Sequence, residues 1–311
     1  EEFQKCFERV FIKTQRIGEY MNKPILWMMC GLSGSGKSTI ATQIANENPN
    51  TIIVSSDAIR EELTGNYENQ EHNEEVFKIF HNRIRKNLEN KKNVIADATN
   101  LTMKSRRAIM MKVNGLEVHK ICVIIPKPFE QCKIDNLNRE HPVPDEVLDK
   151  QIRRFQIPFY EEKFDEIQIT PNFYGKPFNL LRKMEGFDQK NPHHSMDLYN
   201  HCKYTECLMS LKGYKMPWTF GALVHDCGKL FTQTFDENGI AHYYDHQSYG
   251  AYEILTTKPY DVATLDSCFL INYHMMPFSW DTDKTKQRWK ERFGEYKYKM
   301  LLDFNECDRA R

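Results

Sequence analysis

The stretch GLSGSGKST sets Gly31, Gly36, Lys37 and Ser38 at the spacing G-x-x-x-x-G-K-[ST]. A loop of this kind wraps a phosphate with backbone N–H groups, and Gly31, Gly34 and Gly36 admit the dihedrals and close approach that the wrapping needs. A helix opening near Lys37 would aim the positive end of its dipole at the same anion. Lys37 would bridge the outer phosphates of ATP, and Ser38 would offer an oxygen to Mg²⁺. The candidate ATP-contacting set is Gly31, Ser33, Gly34, Ser35, Gly36, Lys37, Ser38 and Thr39. A strand-like run, PILWMMC, precedes the loop and a helix-like run, TIATQIANE, follows it, which is the context the motif requires.

The phosphoryl acceptor must be read from other segments. In IIVSSDAIREEL, Asp57 and Arg60 lie three residues apart and would share one face of a helical first turn. The carboxylate could take the proton of an attacking hydroxyl, and the guanidinium could hold a phosphate of the acceptor. The competing reading makes Asp57 a helix N-cap and Arg60 a solvated surface residue. In NVIADATNLT, Asp97, Thr99 and Asn100 fall at the same carboxyl edge, with Asp97 in the place of an acid near Mg²⁺. Further on, NLNREHPVPDEVLDKQIRRFQIP offers Arg139, either a lid arginine closing over phosphates or a surface residue.

A second group of chemistry-bearing residues lies beyond residue 190. His225 and Asp226 are adjacent in ALVHDCGKL, and Lys229 follows. His201, His246, His274 and Asp308 come from four other segments, each on an expected helix. Taken singly, each histidine reads as a core or surface residue. Together, an all-helical domain can gather such side chains into a metal site. Mixed nitrogen and oxygen ligands suit Mn, Fe, Co, Ni or Zn. His242, His193, His194 and Asp303 stay unassigned.

The elements that must position these groups follow from periodicity. Strands are expected at 25–30, 51–55, 93–97, 118–125 and 166–170, and a helix over 73–88. Alternation of strands with helices predicts an α/β domain with a parallel sheet covered on both faces. Three Pro and two Gly punctuate 171–192, where the junction is placed, and the segment after it is expected to be all-α. The expected division is 1–182 and 183–311.

Across the 311 residues, 43 Lys and Arg balance 43 Asp and Glu, which excludes a bulk positive field for length-spanning nucleic-acid binding. A partner gripped only at a strand end stays compatible with that balance. Nine scattered cysteines without a CxxC pair predict reduced thiols and a cytoplasmic location. No apolar run reaches membrane-spanning length, so no membrane association is expected. The start at Glu1 and the stop at ECDRAR are those expected of a trimmed chain.

GLSGSGKST, SSDAIR, DATNLT with its following SRR, and NREHPVPDEVL together resemble the P-loop polynucleotide 5′-kinases of nucleic-acid end repair, over roughly residues 20–165. The resemblance implies transfer of the γ-phosphoryl of ATP to a 5′-hydroxyl end. It makes Asp57 the general base, Arg60 the clamp on the phosphate beside the acceptor nucleoside, and Arg139 the lid arginine. One departure is the Asp135-Asn136 pair, where the family often opens its lid with Arg-Asn. The second group resembles the HD phosphohydrolase superfamily over roughly 192–311, in particular the pattern HDxGK followed by H-x-x-x-G-A. That resemblance implies one metal on His201, His225, Asp226 and Asp308, with Asp226 bridging to a second on His246 and His274. It also implies that Lys229 neutralises the substrate phosphate. The pairing resembles end-healing enzymes that phosphorylate RNA (alternatively DNA) 5′-ends and clear 2′,3′-cyclic, 2′- or 3′-phosphates, preparing ends for an RNA ligase. Two rivals stand beside it: a nucleoside kinase fused to a nucleotide phosphohydrolase, and a non-catalytic ATP-binding sensor.

Overall fold

The computed structural model describes residues 23–65, 71–171, 179–191, 196–257 and 262–310. His193 and His194 lie outside the described residues, as does part of the proline-punctuated 171–192 segment. The chain divides into two compact units. The first holds the described residues up to Leu148 together with the stretch that begins at Lys163; the second holds Asp149–Glu162 and the described residues that come later.

In the first unit the strands are β1 (Ile25–Cys30), β2 (Thr51–Ser55), β3 (Asn93–Asp97), β4 (His119–Ile124) and β5 (Glu166–Ile169). They form one all-parallel sheet in the order β2-β3-β1-β4-β5. The strand β1, reading ILWMMC, is buried along its whole length, as expected of a central strand covered on both faces. Its outward alternation brings Ile25, Trp27 and Met29 against Ala41, Ile44, Ile95, Ile121 and Val123 in one apolar cluster. Connecting helices are α1 (Lys37–Glu47), α2 (Ser56–Thr64), α3 (Asn73–Glu89), α4 (Met103–Lys112), α5 (Phe129–Leu137) and α6 (Asp145–Arg153), the last of which crosses from one unit to the other. Because the chain passes from β1 outward to β2, back to β3 and then across to β4, the order reverses at β1. Open α/β sheets bind ligands at the carboxyl end of such a switch point.

The second unit is helical, with α7 (Leu180–Met184), α8 (Leu198–Leu211), α9 (Trp218–Leu223), α10 (Lys229–Thr232), α11 (His246–Thr257), α12 (Val262–Tyr273) and α13 (Asp283–Arg309). It also contains a short hairpin, β6 (Thr234–Phe235) with β7 (Ala241–His242), which the expectation of an all-α segment omits. Asp236 makes that hairpin: its Oδ1 accepts from the N–H groups of Asn238 and Ile240, both at 2.9 Å. The core is aromatic, with Phe269 centred 5.1 Å from the rings of both Phe159 and Phe293 and 4.8 Å from Tyr273. Asp149–Glu162 belongs here because its apolar residues are used here. The N–H of Ile157 donates to Asn272 Oδ1 at 2.6 Å, and Asn272 Nδ2 donates to the Phe155 carbonyl at 3.0 Å. Among the described residues no helix is long and apolar enough to cross a membrane.

Candidate functional sites

At the carboxyl end of β1 the chain turns into the loop through Gly31, whose N–H donates to Thr99 O at 3.1 Å. Gly34 has φ +77°, and a Cβ there would lie 2.3 Å from the carbonyl oxygen of Cys132, so the loop is seated on α5 as only glycine permits. Ser33 and Ser35 are buried and Thr39 is exposed on α1. Lys37 opens α1, and its Nζ turns back to donate to Leu32 O at 2.8 Å. Burial pushes the Lys37 pKa down, against the opposing pull of Asp97 and Asp57. Ser38 Oγ donates to Asp97 Oδ2 at 3.0 Å, and burial raises the Asp97 carboxyl while Lys37 and Ser38 hold it down. An ammonium, a hydroxyl and a carboxylate therefore converge at the switch point. That donor set suits a polyphosphate with a hard, oxygen-ligated cation.

The acceptor-side residues gather at the same edge. Ser55, not Asp57, is the N-cap of α2: its side chain accepts from Ala58 N at 3.4 Å. Asp57 is thus relieved of capping, and its side chain is 60% exposed. Arg60, by contrast, is buried. Its Nη1 donates to Asp57 Oδ1 at 3.1 Å and its Nη2 to Asn73 Oδ1 at 2.8 Å. Arg139 Nη2 lies 3.8 Å from Asp57 Oδ2. Asn136, at the departure from the Arg-Asn lid pattern, is buried and grips Val143 twice, accepting its N–H at 3.1 Å and donating to its carbonyl at 2.7 Å. This clasp shapes the turn that carries Arg139. Asp135 instead pairs with Lys127, whose Nζ also donates to Gly34 O at 3.2 Å. Asn100 is not turned toward the loop mouth. It is buried and donates to Met29 O at 2.8 Å, tying β1 to the turn after β3.

In the second unit the sequence-selected imidazoles and carboxylates meet. Asp308 Oδ1, from the last turn of α13, lies 3.0 Å from His201 Nε2 on α8 and 3.2 Å from His225 Nε2. Asp226 faces both sides of the group. Its Oδ2 is 3.7 Å from His201 and 3.4 Å from His225, and its Oδ1 is 3.0 Å from His246 and 3.5 Å from His274. His201 lies on α8 and His246 opens α11, but His225 and Asp226 occupy a tight turn between α9 and α10, and His274 follows the end of α12. The turn is possible because two glycines touch. A Cβ on Gly228 would fall 1.9 Å from His246 O and 2.7 Å from Gly250 N, so this contact presses the Asp226 turn against the start of α11.

Three of the rings are fixed from behind. The Nδ1 atoms of His225, His246 and His274 each face a carbonyl, of Ala222, Tyr243 and Ile271, at 2.8 Å. A carbonyl only accepts, so each Nδ1 donates and each Nε2 is the ring atom turned inward. His246 and His274 thereby aim two Nε2 atoms at each other across 3.3 Å. His225 Nε2 and Asp308 Oδ1 are buried without a hydrogen-bond partner among the described residues. Imidazole nitrogens and carboxylate oxygens set this close could hold a cation between them, and the nitrogen–oxygen set fits a divalent transition metal. Burial alone would raise the Asp226 carboxyl, but Lys229 and His225 hold it well below the usual range. Lys229 Nζ is 2.6 Å from Asp226 Oδ2, donates to Gln189 Oε1 at 2.8 Å, and lies 5.2 Å from the Tyr243 ring centre.

Comparison with known proteins bears on the first of these centres. Residues 26–158 match the family model described as AAA domain. The matched stretch contains the loop Gly31–Ser38 with its G-x-x-x-x-G-K-[ST] spacing. A curated L-seryl-tRNA(Sec) kinase from Methanococcus maripaludis is 28% identical over 151 residues, which are 47% of this chain. The chain spans 58% of that relative's length. Among solved structures, a chain of the Pnkp1/Rnl/Hen1 RNA repair complex is 23% identical over 46% of this chain and 47% of its own, with a TM-score of 0.40. A fungal RNA kinase is 14% identical over 48% of this chain and 74% of its own, with a TM-score of 0.34.

Within the P-loop domain, sequence reasoning overlooked Asn73, which fixes Arg60, and Lys127, which fixes the loop. In the second unit it overlooked Gln189 and Tyr243, which surround Lys229. None belongs to a motif, and each acts across a tertiary contact. A lone lysine between two prolines, as in PKP, was the single local signal available. His242 stands apart from the imidazole cluster, 3.4 Å from Asp236, and Asp303 accepts from Tyr214 Oη at 2.6 Å.

Proposed function

We propose that this chain repairs RNA ends: its P-loop domain phosphorylates 5′-hydroxyl termini, and its second unit, as an HD-type phosphohydrolase, removes 2′,3′-cyclic, 2′- or 3′-phosphates. The observation that carries the reading is the pairing of two centres in one chain. One is an exposed carboxylate flanked by two arginines beside a phosphate-binding loop; the other is a buried group of four imidazoles and two carboxylates. The curated relative, named as a kinase of a seryl-tRNA, supports a hydroxyl acceptor carried on RNA.

At the first centre the acceptor hydroxyl would approach Asp57, whose carboxylate takes the proton as the new O–P bond forms and ADP departs. Arg60, fixed by Asp57 and Asn73, orients the acid and lines the acceptor side. Arg139, on its clasped turn, brings a positive charge to the transferring phosphoryl group. Ser38 and Asp97 would hold Mg²⁺, which neutralises phosphate charge when bound.

At the second centre His201, His225, Asp226, His246, His274 and Asp308 would hold the divalent metal, which when bound polarises a phosphate ester and acidifies water. The carbonyls behind His225, His246 and His274 keep each ring in the tautomer that can ligate. Lys229 holds Asp226 ionised and adds a positive charge at the phosphate side.

Two end-chemistry assays test the proposal. One offers RNA with a 5′-hydroxyl, labelled ATP and Mg²⁺; the other offers RNA with a 2′,3′-cyclic phosphate and Mn²⁺ or Ni²⁺. Asp57→Ala should abolish transfer and leave ATP affinity intact, whereas Asp226→Ala should end phosphohydrolysis alone. If neither RNA end changes with the wild-type chain, or if Asp57→Ala transfers normally, the proposal is wrong.

A further inference from the structure

A pocket of about 430 Å³ opens in the second unit, at the opposite end of α8 from His201. Its floor is Asp303, whose carboxylate is already engaged by Tyr214 Oη at 2.6 Å and by Lys212 Nζ at 3.8 Å. Its rim carries Lys215 and Lys299, both exposed and without a carboxylate partner among the described residues. Its wall is aromatic. The Tyr296 ring, on a residue 59% exposed, is backed by buried Trp218 at a centroid distance of 5.8 Å. Lys212 is engaged by Glu306 at 2.8 Å as well as by Asp303, so the pocket's positive charge comes from Lys215 and Lys299. The supported ring gives a flat apolar face beside those charges. Cations that follow a phosphate backbone together with a ring that stacks on a base are what single-stranded nucleic-acid sites combine.

The placement relates this pocket to the imidazole cluster. His201 and Lys212 are eleven residues apart along and just past α8. That separation is about 16 Å at ~1.5 Å per residue, and three turns bring the two to one side of the helix. At ~3.4 Å per stacked nucleotide it spans about five nucleotides, and fewer for an extended strand.

We propose that the Lys215–Lys299–Tyr296 pocket is a strand-binding subsite that holds an upstream nucleotide of the RNA whose phosphate-bearing 3′ end occupies the imidazole–carboxylate cluster. The identity of that end rests on the function proposed above, whereas strand binding is measured separately from it. Tyr296 stacks on a base; Lys215 and Lys299 contact backbone phosphates.

The test uses the full chain and a hexaribonucleotide with a 3′-phosphate and a fluorophore in place of its 5′-hydroxyl. Anisotropy gives its affinity across a salt series, and phosphate release gives turnover. Tyr296→Ala should weaken binding roughly tenfold. The double variant Lys215→Gln/Lys299→Gln should flatten the salt dependence by about 1.4 in log–log slope. Turnover of a nucleoside 3′-monophosphate, too short to span both places, should match wild type. Hexamer binding unaffected in both variants, alongside wild-type phosphate release, overturns the subsite and leaves the hydrolase reading standing. Weakened binding in both variants, with no phosphate release by wild type, upholds the subsite and removes the hydrolase reading. Equal weakening of AMP and of the hexamer overturns the strand proposal in favour of a mononucleotide site.

Discussion

Replacing Lys37 by Met separates the two things this residue does. Its Nζ donates to Leu32 O, and burial depresses its pKa below the ordinary 10.5. A group whose folded pKa is depressed contributes stability that is present above the unfolded pKa and lost as pH falls through the folded value. At neutral pH the charged Lys37 is therefore a cost to the nucleotide-free chain, and Met removes that cost along with a hydrogen bond worth about 1 kcal/mol net. The two changes oppose each other, so the nucleotide-free midpoint of Lys37→Met should stay within ~1 kcal/mol of wild type. Any advantage of the variant should shrink as pH rises toward and past 10.5.

With MgATP the balance reverses. At 100 times Kd the ligand adds about 2.7 kcal/mol, or roughly 5–11 °C at ~2–4 °C per kcal/mol for a domain of this size. A charge-assisted contact of up to ~3 kcal/mol lost from the phosphates weakens binding by about 100-fold. The same MgATP concentration then adds only ~0.4 kcal/mol, a shift of about 1 °C. Differential scanning fluorimetry at several pH values, with and without MgATP, reads both quantities on the transition that the ligand moves. A variant whose nucleotide-free midpoint collapses would show that Lys37 is structural. A variant that keeps the full MgATP shift would show that Lys37 does not bind phosphate. Either result refutes the reasoning.

Three further outcomes are expected. Asn100→Ala leaves the Met29 carbonyl without its buried donor and should cost about 2–3 kcal/mol in urea unfolding while the loop residues stay unchanged. Gly228→Ala sets a Cβ 1.9 Å from a backbone oxygen, so His246 and Asp226 must separate. It should cost roughly 3 kcal/mol or more and remove metal-induced stabilisation, with the MgATP shift retained. Dialysis against a chelator followed by Mn²⁺ or Ni²⁺ at 100 times Kd should return about 2.7 kcal/mol of stability; no response to any divalent ion would rule against the cluster as a metal site.

Much of the P-loop domain was legible because period and motif act locally there. Hydrophobic runs bounded by turns marked β1, β2 and β3 to the residue, and β4 and β5 to within a residue or so. The spacing of Asp57 and Arg60 was equally local, but the capping question was not. Ser55 and Ser56 both precede Asp57, and only coordinates show that Ser55 takes the N–H. His201, the adjacent His225–Asp226, His246, His274 and Asp308 were gathered from separate segments and took their expected roles from resemblance, since no period connects segments so far apart. Asn73, Lys127 and Gln189 were illegible for the same physical reason: each is an ordinary polar residue until a distant backbone or charge reaches it. Composition likewise marked a break at 171–192 but held no sign that Asp149–Glu162 packs with the second unit. Apolar residues state that they will be buried, not where.

The two centres differ in the sign of what they demand, and that difference supports the ligands proposed for them. At the loop, an ammonium that burial disfavours donates to a carbonyl, and the glycine-seated backbone curls around it. Such a place gains most from an anion. In the cluster, carbonyls fix three rings so that their Nε2 atoms face one another and two carboxylates, with Lys229 in contact with Asp226. Such a place gains most from a cation. On the function proposed above, the anion site beside an exposed acid and two arginines would pass a phosphoryl group to a hydroxyl, and the cluster of imidazoles, with a cation bound, would pass one to water. On that proposal, one chain carrying both would add phosphate at one kind of end and remove it at another. A substrate needing both operations must present a free hydroxyl and an unwanted phosphate together, and cleaved RNA strands do so.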